Sequence, residues 1–344
     1  MKIIKSGNGN VFIIAEAGVN HNGEINLAKK LIDTAIAAGV DAVKFQTFKP
    51  GEITGKYAVK VDYLAETSDA AESRFELSKK LCLSYENFII LKQYCDQRGI
   101  MFLTTPDGFE SLDFVVDQLQ VPIIKVGSSE ANHLEFLTAV AKKNRPIILS
   151  TGMCTLGEVE TAVNTIRQHT LPELVILHCT SEYPAPYNEV NLRAMVTMAQ
   201  ALHVPVGFSD HTEGFIAPIA AVALGAQVIE KHFTLDKSLP GPDHKASMNP
   251  VELTQLVEAI RTTEKVLGDG LKRPSTSELR NIVGIRRGVV AARDISKGTI
   301  ITREMLAAKR PFVEISPNEL NLLIGMTLNR NLKEDEPIHW KDVK

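Results

Sequence analysis

The sequence lacks the features that would place its 344 residues in a membrane, outside the cell or on nucleic acid. No stretch approaches the ~18 uninterrupted apolar residues of a transmembrane helix. The first residues contain no apolar core and no small-residue cleavage site, so we expect no signal peptide. The four cysteines are scattered without a C-x-x-C pair, which favours a reduced, cytoplasmic setting. The formal net charge is −3, so the basic excess that is typical of nucleic-acid binding is absent.

What the sequence does contain is a regular alternation of short apolar runs and amphipathic stretches. Apolar residues make up 44% of the chain, which is enough for a large core. The runs have the length of strands and are Phe12–Gly18, Ala42–Phe48, Met101–Pro106, Ile123–Ser128, Pro146–Gly152, Leu174–Thr180, Val204–Asp210 and Gln227–Thr234. Stretches with helical spacing follow them at Ile25–Ala38, 84–98, 108–119, 134–143, 155–169, 191–202, 214–224 and 250–267.

Eight strand–helix units in about 265 residues are typical of a (β/α)8 barrel, and we predict that fold. A doubly wound open sheet is the alternative, but no G-x-G-x-x-G follows the first run. Residues 49–83 form the longest connection, which we interpret as an insertion at the catalytic face because long connections are often functional.

The character of the sequence changes after Gly268-Asp269-Gly270. We predict a barrel domain at 1–267, a linker at 268–282 and a small strand-rich domain at 283–344. Turn-forming residues separate its expected strands, which are Val289–Ala292, Thr299–Ile301 and Thr327–Asn331.

Active sites of (β/α)8 barrels lie at the carboxyl ends of the strands, where this sequence places many polar residues. They include Glu16, Lys44, Gln46, Thr105, Lys125, Ser128, Ser150, His178, Ser209, His211, Glu230 and His232. Because strand side chains alternate between faces, Lys44 and Gln46 share one face. The same holds for Glu230 and His232, whereas Lys231 departs from the pattern unless it lies at the strand tip.

Such residues have a structural as well as a functional interpretation. Ser150, Thr105 or His178, taken singly, is equally well explained as a polar core residue or a cap. Two lysines near one barrel mouth are harder to explain in that way, because burying an ammonium group without a partner is costly. Their partners are either the carboxylates of Glu16 and Glu230 or a ligand that carries phosphate and carboxylate.

Two imidazoles, His211 and His232, stand on neighbouring predicted strands near the same mouth. With water and a carboxylate, two imidazoles form a plausible site for Mn²⁺, Fe²⁺ or Zn²⁺. A pair of structural histidines is the alternative, and their spacing alone does not decide between the two.

Short motifs in order along the chain resemble the sialic acid synthase family, which makes N-acetylneuraminate, legionaminate and pseudaminate. The motifs of the barrel are Ile14–Gly23, Val43–Thr47, Leu149–Met153, Leu177–Thr180, Ser209–Thr212, Glu230–Thr234 and Gly241–His244. The last 60 residues resemble the antifreeze-like SAF domain, a β-clip fold, through Arg286–Gly288, Asp294–Gly298 and Lys309–Pro311. The resemblance implies a domain-swapped homodimer in which this domain closes the partner's barrel.

The resemblance also implies a reaction and a site. Phosphoenolpyruvate condenses with an N-acylated mannosamine-type sugar, giving a nonulosonic acid and phosphate, and the first choice of product is N-acetylneuraminate. Phosphoenolpyruvate would be held by Lys44, Thr105, Lys125, Ser128, Ser150 and Ser209, with Lys44 and Lys125 also catalytic. The sugar would be contacted by Gln46, Tyr183, Asp243 and, from the other subunit, Arg310. A divalent metal, usually Mn²⁺ with Mg²⁺ or Co²⁺ as alternatives, would be bound by His211 and His232, beside the catalytic carboxylates Glu16 and Glu230.

The sequence departs from the family pattern at positions that touch the expected sugar pocket. Ser129 stands where a glycine is usual, and Asp107 stands after Thr105-Pro106 where a phenylalanine is usual. Ser181 replaces an asparagine of some relatives, and Pro311–Glu314 replaces a Pro-Gly-Thr-Gly-like turn. These differences bear on substrate identity more than on reaction type.

Three alternatives to this function stay open. A synthase of octulosonate or heptulosonate phosphates would need additional cations for a second phosphate, and no arginine cluster is evident at the strand ends. A non-catalytic carbohydrate-binding or ice-binding protein would be expected to lose Glu16, Lys44, Lys125, His211 and His232, all of which are present. Within the family, Gly241–Ser247 is similar to the neuraminate and legionaminate branches, and does not choose between them.

Overall fold

The computed structural model describes residues 11–55, 57–61, 64–65, 72–169 and 173–344. The amino-terminal residues to which the signal-peptide prediction refers lie outside these ranges. The chain divides into one compact unit that ends at Gly268 and a second from Asp269 to Lys344. No helix within the described ranges has the length and apolar character needed to cross a membrane.

Eight parallel strands form the first unit. They are β1 (Phe12–Gly18), β2 (Ala42–Phe48), β3 (Met101–Asp107), β4 (Ile124–Val126), β5 (Ile147–Ser150), β6 (Leu174–Cys179), β7 (Val206–Asp210) and β8 (Val228–His232). Their order is β3-β2-β1-β8-β7-β6-β5-β4, and β3 also lies beside β4, so the barrel is nearly closed. The predicted (β/α)8 barrel is confirmed.

Helices surround the strands close to the predicted positions. They are α1 (Ile25–Ala38), α2 (Pro50–Ile53), α3 (Arg74–Leu81), α4 (Tyr85–Arg98), α5 (Phe109–Asp113), α6 (Leu134–Lys142), α7 (Leu156–His169), α8 (Arg193–Leu202), α9 (Ile216–Ala223) and α10 (Pro250–Leu267). A π-helical turn, Phe114–Gln118, continues α5 where a single helix over 108–119 is expected. Short 3₁₀ helices occur at Ser128–Glu130 and Tyr187–Glu189.

Local sequence explains where these helices begin and end. Asn249 caps the start of α10, and Glu252 completes a capping box. Helix α1 buries Leu31 and Ile32 on one face and ends at Gly39, whose φ of 78° is accessible to glycine at little cost. The amphipathic helices therefore cover the outer surface of the sheet.

The interior of the barrel changes from apolar to polar at a fixed level. The lower layer consists of apolar side chains that point inward from Phe12, Ile14, Ala42, Leu103, Ile123, Ile148, Val175, Leu177 and Val228. Glu16 comes two residues after Ile14 in β1, and Ser150 comes two residues after Ile148 in β5. Glu16 and Ser150 are also buried. Since strand side chains repeat with a period of two, these polar groups point into the same interior as the apolar layer. The barrel thus has an apolar floor beneath a polar chamber.

The second unit contains one helix, α11 (Thr276–Ile285), and a two-stranded antiparallel sheet of β9 (Gly288–Ala291) and β10 (Leu306–Lys309). Short 3₁₀ helices lie at Arg303–Met305, Pro317–Leu323 and Trp340–Asp342. Helix α11 occupies part of the stretch that is predicted to be a linker, because Ser275 and Glu278 form a capping box there.

Two strand predictions in this unit are wrong. Thr299–Ile301 and Thr327–Asn331 do not form regular strands: they meet at one antiparallel bridge between Ile300 and Thr327, with a few backbone hydrogen bonds around it such as Leu328 N–H to the Thr299 carbonyl over 3.0 Å. The short apolar stretch Leu306–Lys309 is a strand instead, since Leu306 pairs with Ala291 and is buried. Ile301 is buried in this small core and its backbone pairs with Gly325 and Met326, so the apolar pattern marks a short paired segment rather than a regular strand.

Candidate active site

Lys44 lies at the centre of the polar chamber. Its Nζ is 2.8 Å from Glu16 Oε2 and 3.7 Å from Glu230 Oε2, and it donates to Thr105 Oγ1 over 3.1 Å. The backbone register explains this contact, because Lys44 pairs with Glu16 across β1 and β2. Gln46, two residues after Lys44 in β2, donates to Glu16 Oε1 over 3.2 Å.

Lys125 occupies the opposite side of the chamber. Its Nζ donates to Ser150 Oγ over 2.7 Å and lies 3.6 Å from Glu230 Oε1. The same Glu230 oxygen accepts a 3.0 Å hydrogen bond from Ser209 Oγ. Glu230 therefore connects both ammonium groups, and the two lysines have buried carboxylate partners, one of the two alternatives that the sequence leaves open.

The two carboxylates differ in electrostatics. Burial raises the pKa of Glu16 to about 7, although the charge of Lys44 opposes the shift. Burial acts in the same direction on Glu230, but the charges of Lys125 and Lys44 outweigh it and lower the pKa. Burial lowers the pKa of Lys125 in spite of Glu230. Two neighbouring carboxyl groups whose pKa values are driven apart suit different roles, with Glu16 the one able to exchange a proton near neutral pH.

The two predicted metal ligands, His211 and His232, lie side by side at the mouth. Their ring centroids are 5.4 Å apart, and Tyr183 stacks on His211 at 4.0 Å. The Nδ1 of His211 donates to the Thr180 carbonyl over 2.7 Å, so in the neutral ring the lone pair is on Nε2. Burial lowers the pKa of His211, but Cys179 and the Thr180 carbonyl outweigh it and raise that pKa. Burial holds the pKa of His232 well below its usual value, so that ring is neutral.

These imidazoles have the properties of metal ligands. The buried Nδ1 of His232 has no hydrogen-bond partner among the described residues, and Asp243 Oδ2 lies 3.7 Å from it. A carbonyl that orients a ligating histidine, as Thr180 orients His211, is a common outer partner of metal sites. Within the described ranges no group of three His, Cys, Asp or Glu side chains is arranged to hold an ion alone. A divalent ion here would need oxygen ligands from water or a substrate in addition to the two nitrogens.

A network of hydrogen bonds fixes the loop that carries Asp243. Ser247 Oγ donates to the Asp243 carbonyl over 2.6 Å, and Asn20 Nδ2 donates to Ser247 Oγ over 2.9 Å. Burial raises the pKa of Asp243 to about 6. The motifs that contain Asn20 and Asp243, which are far apart in sequence, therefore meet beside His232.

The remaining predicted residues have clear positions. The backbone N–H of Gly152 donates to Ser128 Oγ over 3.0 Å, beside Ser150. His178 is bonded to the Val190 carbonyl through Nε2 over 2.6 Å, in agreement with the structural interpretation of this residue. Arg310 lies in the second unit, where its Nε donates to the Ile285 carbonyl over 2.7 Å. Its reach to a substrate acyl group stays a prediction.

Two adjoining cavities open at the strand ends. The first, here the central cavity, has a volume of about 360 Å³ and is lined by Glu16, Lys44, Thr105, Lys125, Ser128, Ser150, Ser209, His211, Glu230 and His232, among others. The second, here the rim cavity, has a volume of about 280 Å³ and includes Asp243, Glu130 and the apolar residues Val19, Phe48, Leu64, Leu77 and Leu81. Both are lined by Gln46, Arg74, Asp107, Ser129, Tyr183 and His232. One continuous site therefore joins a charged inner part to a partly apolar outer part.

Sequence reasoning missed some of these lining residues as site residues. Asp107 and Ser129 are two departures from the family pattern. Both lie close to Gly127, because a Cβ on that residue would be 3.9 Å from Asp107 Oδ1 and 3.5 Å from Ser129 Oγ. Asp107 and Ser129 directly follow the predicted strands Met101–Pro106 and Ile123–Ser128, and this position was the signal that could have identified them. Arg74 comes from the long 49–83 connection, and only the length of that connection pointed to a role.

Lys231, which departs from the alternation in the sequence, belongs to a separate buried ion pair. Its Nζ is 2.6 Å from Asp210 Oδ2 and also donates to the Thr212 carbonyl. Asp210 Oδ1 accepts from the Thr212 N–H over 2.9 Å. Asp210 and Lys231 are paired in the β7–β8 register and each directly precedes one of the two imidazoles, so the ion pair fixes the strands that carry them.

Replacing Lys231 with methionine is expected to lower the free energy of unfolding by about 3 kcal/mol, because Asp210 would keep a buried charge without its counter-ion. Urea denaturation measures this change. Lys237→Met is the control, because the Lys237–Glu252 pair is much more exposed, with 43% of the lysine side chain accessible. Its loss should stay below about 1 kcal/mol. Equal losses for the two variants would contradict a special role for the buried pair.

Comparison with known proteins agrees with this architecture. A model described as the NeuB family matches residues 31–272, and a model described as the SAF domain matches residues 286–344. The chain is 47% identical over 328 residues to the N,N'-diacetyllegionaminic acid synthase of Campylobacter jejuni, covering 95% of this chain and 98% of that one.

Two further similarities extend the comparison. The chain is 44% identical to the N,N'-diacetyllegionaminic acid synthase of Legionella pneumophila, over 97% of this chain and 94% of that one. A crystal structure of N-acetylneuraminic acid synthetase from Leptospira borgpetersenii in complex with citrate aligns with a TM-score of 0.72 at 35% identity, covering 81% of this chain and 92% of that one. The predicted resemblance is confirmed: the chain is an enzyme of the NeuB family, the sialic-acid-type synthases, and carries a SAF domain at its carboxyl end.

Proposed function

We propose that this enzyme condenses phosphoenolpyruvate with 2,4-diacetamido-2,4,6-trideoxymannose to give N,N'-diacetyllegionaminate and phosphate. The observation that carries the proposal is the central cavity, where two buried ammonium groups, Lys44 and Lys125, share the carboxylate of Glu230. A ligand with two anionic groups can form ion pairs with both ammonium groups, whereas a neutral ligand would leave them paired with Glu230.

Phosphoenolpyruvate is assigned to the inner part of the site. Lys44 and Lys125 would bind its phosphate and carboxylate, and the hydroxyl groups of Thr105, Ser150 and Ser209 would donate to the same oxygens. The first two hydroxyls already contact the ammonium groups, at 3.1 and 2.7 Å, so the donors are arranged before the ligand arrives. Fixed donors in a buried site stabilise developing charge without the cost of reorientation.

The open-chain sugar is assigned to the outer part, with its aldehyde near His211 and His232. Those two side chains would hold a divalent ion, for which we propose Mn²⁺. When bound, such an ion supplies Lewis-acid polarisation of a carbonyl oxygen. Gln46, Tyr183 and Asp243, which surround the imidazoles, would orient the rest of the sugar.

The reaction forms one carbon–carbon bond and one carbon–oxygen bond to water, and it breaks the carbon–oxygen bond to phosphate. The methylene carbon of phosphoenolpyruvate attacks the aldehyde carbon, whose oxygen becomes a hydroxyl group. Water adds to the phosphate-bearing carbon, and that carbon's bond to the phosphate oxygen then breaks to leave a keto group. The two protons of the water balance the one gained by the new hydroxyl group and the one carried by the released phosphate. Glu16, whose pKa is raised to about 7, is the carboxyl group that can orient this water and receive its proton.

The choice of sugar is supported by the relatives and by the rim cavity. The sequence alone makes N-acetylneuraminate the first choice of product, but the two relatives at 44 and 47% identity are diacetyllegionaminic acid synthases. The apolar wall formed by Phe48, Leu64, Leu77 and Leu81 suits a sugar with a methyl group and a second acetyl group.

A phosphorylated sugar fits the rim cavity less well. Arg74 is one additional cation there, but the same cavity contains the carboxylates of Asp107, Glu130 and Asp243. Burial and the neighbouring charge of Glu130 raise the pKa of Asp107 to about 7, which is the direction expected where negative charge accumulates. A second phosphate group would meet repulsion rather than a binding site.

The proposal predicts a preference that can be measured directly. With Mn²⁺ and phosphoenolpyruvate, kcat/KM for 2,4-diacetamido-2,4,6-trideoxymannose should exceed that for N-acetylmannosamine by at least about 10-fold, the effect of one or two apolar groups in a matched pocket. Phosphate release gives the rates and mass spectrometry identifies the products.

Two results would change the conclusion. A higher kcat/KM for N-acetylmannosamine would restore N-acetylneuraminate as the product. Phosphate release with none of the N-acyl amino sugars, with or without Mn²⁺, would favour a non-catalytic carbohydrate-binding protein.

A further inference from the structure

Asp107 and Ser129 place two hydrogen-bond acceptors on one wall of the site. Asp107 is the last residue of β3, and Ser129 lies in the 3₁₀ turn after β4. Their Oδ1 and Oγ atoms flank the same point above Gly127, at 3.9 and 3.5 Å from where its Cβ would be. Both residues line the central and the rim cavities, so they stand at the junction of the two.

Neither side chain is used by the fold. Within the part of the chain that the structure describes, the Asp107 carboxylate and the Ser129 hydroxyl have no hydrogen bond or ion pair. Glu130, beside them, is engaged by His133 Nδ1 at 2.8 Å. A half-buried carboxylate without donors is unfavourable, and a ligand that supplies donors would remove that cost.

The position of this pair relative to the imidazoles indicates which ligand it would meet. His232 also lines both cavities, and its buried Nδ1 has no partner among the described residues. A sugar whose aldehyde lies at the imidazoles must extend its other carbons into the rim cavity, since the lysines occupy the inner end of the central cavity. Its substituents then pass the junction where Asp107 and Ser129 lie.

We propose that Asp107 and Ser129 form a subsite that accepts hydrogen bonds from the N–H groups of the sugar's acylamino substituents and thereby selects acylamino sugars. The inference rests on the proposed function, because it places the sugar in the rim cavity. An amide N–H is a good donor to a carboxylate, and its acyl methyl can contact the apolar wall of the same cavity. Asp107 and Ser129 act at a distance from the reacting carbon, so they contribute to binding of the sugar more than to the chemical step.

The test uses the Mn²⁺-loaded enzyme and steady-state kinetics with each substrate varied. Asp107→Leu, which keeps the size and removes the acceptor, is expected to raise KM for the diacetamido sugar by about 10- to 100-fold, the range for a lost hydrogen bond to a charged group. KM for phosphoenolpyruvate should change less than about 2-fold and kcat should fall only slightly. Asp107→Asn, which keeps one acceptor oxygen, should raise the sugar KM less than Asp107→Leu does, and Ser129→Ala should raise it about 3-fold.

Comparison of the variants with two sugars then identifies which N–H group of the sugar the subsite binds. A loss confined to the diacetamido sugar assigns the second acylamino N–H, and an equal loss with N-acetylmannosamine assigns the N–H that both sugars carry. Glu160→Gln, an exposed carboxylate on α7, controls for removal of an acidic charge and should leave all constants unchanged.

The inference would be overturned if sugar KM stayed within 2-fold in every variant of the two, Asp107→Leu and Ser129→Ala, that folds, or if KM for phosphoenolpyruvate rose as much as that for the sugar. Because Ser129→Ala is a small change, a folding defect in Asp107→Leu would not leave the question open. The outcome is distinct from the test of product identity: a wild-type preference for N-acetylmannosamine refutes the proposed product, whereas unchanged variants of an active enzyme refute only this subsite.

Discussion

Replacing Lys125 with methionine is expected to reduce kcat/KM for phosphoenolpyruvate by about 10²- to 10³-fold, the effect of losing one fixed charge-stabilising donor in a buried site. Lys125 is 2% exposed, contacts Ser150 and lies 3.6 Å from Glu230, so water cannot readily replace the ammonium group. Its removal also leaves Glu230 with Lys44 as the nearby ammonium group, at 3.7 Å, and the cavity becomes less attractive to an anion.

Phosphate release with phosphoenolpyruvate varied at saturating sugar measures this effect. Lys142→Met, which removes an exposed lysine from the end of α6, is the control and should behave as the wild type. A reduction of less than 10-fold in Lys125→Met would mean that the inner part of the site does not hold the enol phosphate.

Replacing His232 with alanine is expected to weaken Mn²⁺ binding by at least about 100-fold and to reduce metal-dependent turnover to a similar extent, since one of the two proposed nitrogen ligands is lost. The fold should be retained, because His232 Nδ1 makes no hydrogen bond within the described ranges. The electron paramagnetic resonance signal of free Mn²⁺ reports binding independently of activity.

A matched variant controls for the removal of a histidine side chain that lies outside the site. His169→Ala removes an exposed histidine at the end of α7 and should not alter Mn²⁺ binding. If His232→Ala bound Mn²⁺ with wild-type affinity, His232 would have to be removed from the proposed metal site and the structural interpretation of the histidine pair would be favoured.

The barrel could be predicted from the sequence because its signals are local and repeated. Each strand is a short apolar run, and the helices carry apolar residues at helical spacing, as Leu31 and Ile32 do in α1. The inner part of the site could also be predicted from the sequence, because alternation along a strand places the side chains of Lys44 and Gln46 on the same face. Family motifs supplied the roles, which local pattern alone cannot give.

The residues that escaped prediction are those whose position depends on the path of the backbone between elements. Arg74 enters the site from a long connection whose course no periodicity describes. Lys231 interrupts the polar alternation because it faces outward to Asp210, a partner 21 residues earlier in the chain. In the second unit, the apolar pattern of Thr299–Ile301 predicts a strand, but the segment has one antiparallel bridge and no regular ladder.

The change from apolar floor to polar chamber has a consequence for how this enzyme can change over evolution. One residue inserted into or deleted from a strand would turn every later side chain in that strand by 180°, so that Lys44 would face the helices and Phe45 the chamber. Length variation is therefore expected to accumulate in connections such as 49–83. New substrate preferences can arise there, while the strands keep their lengths.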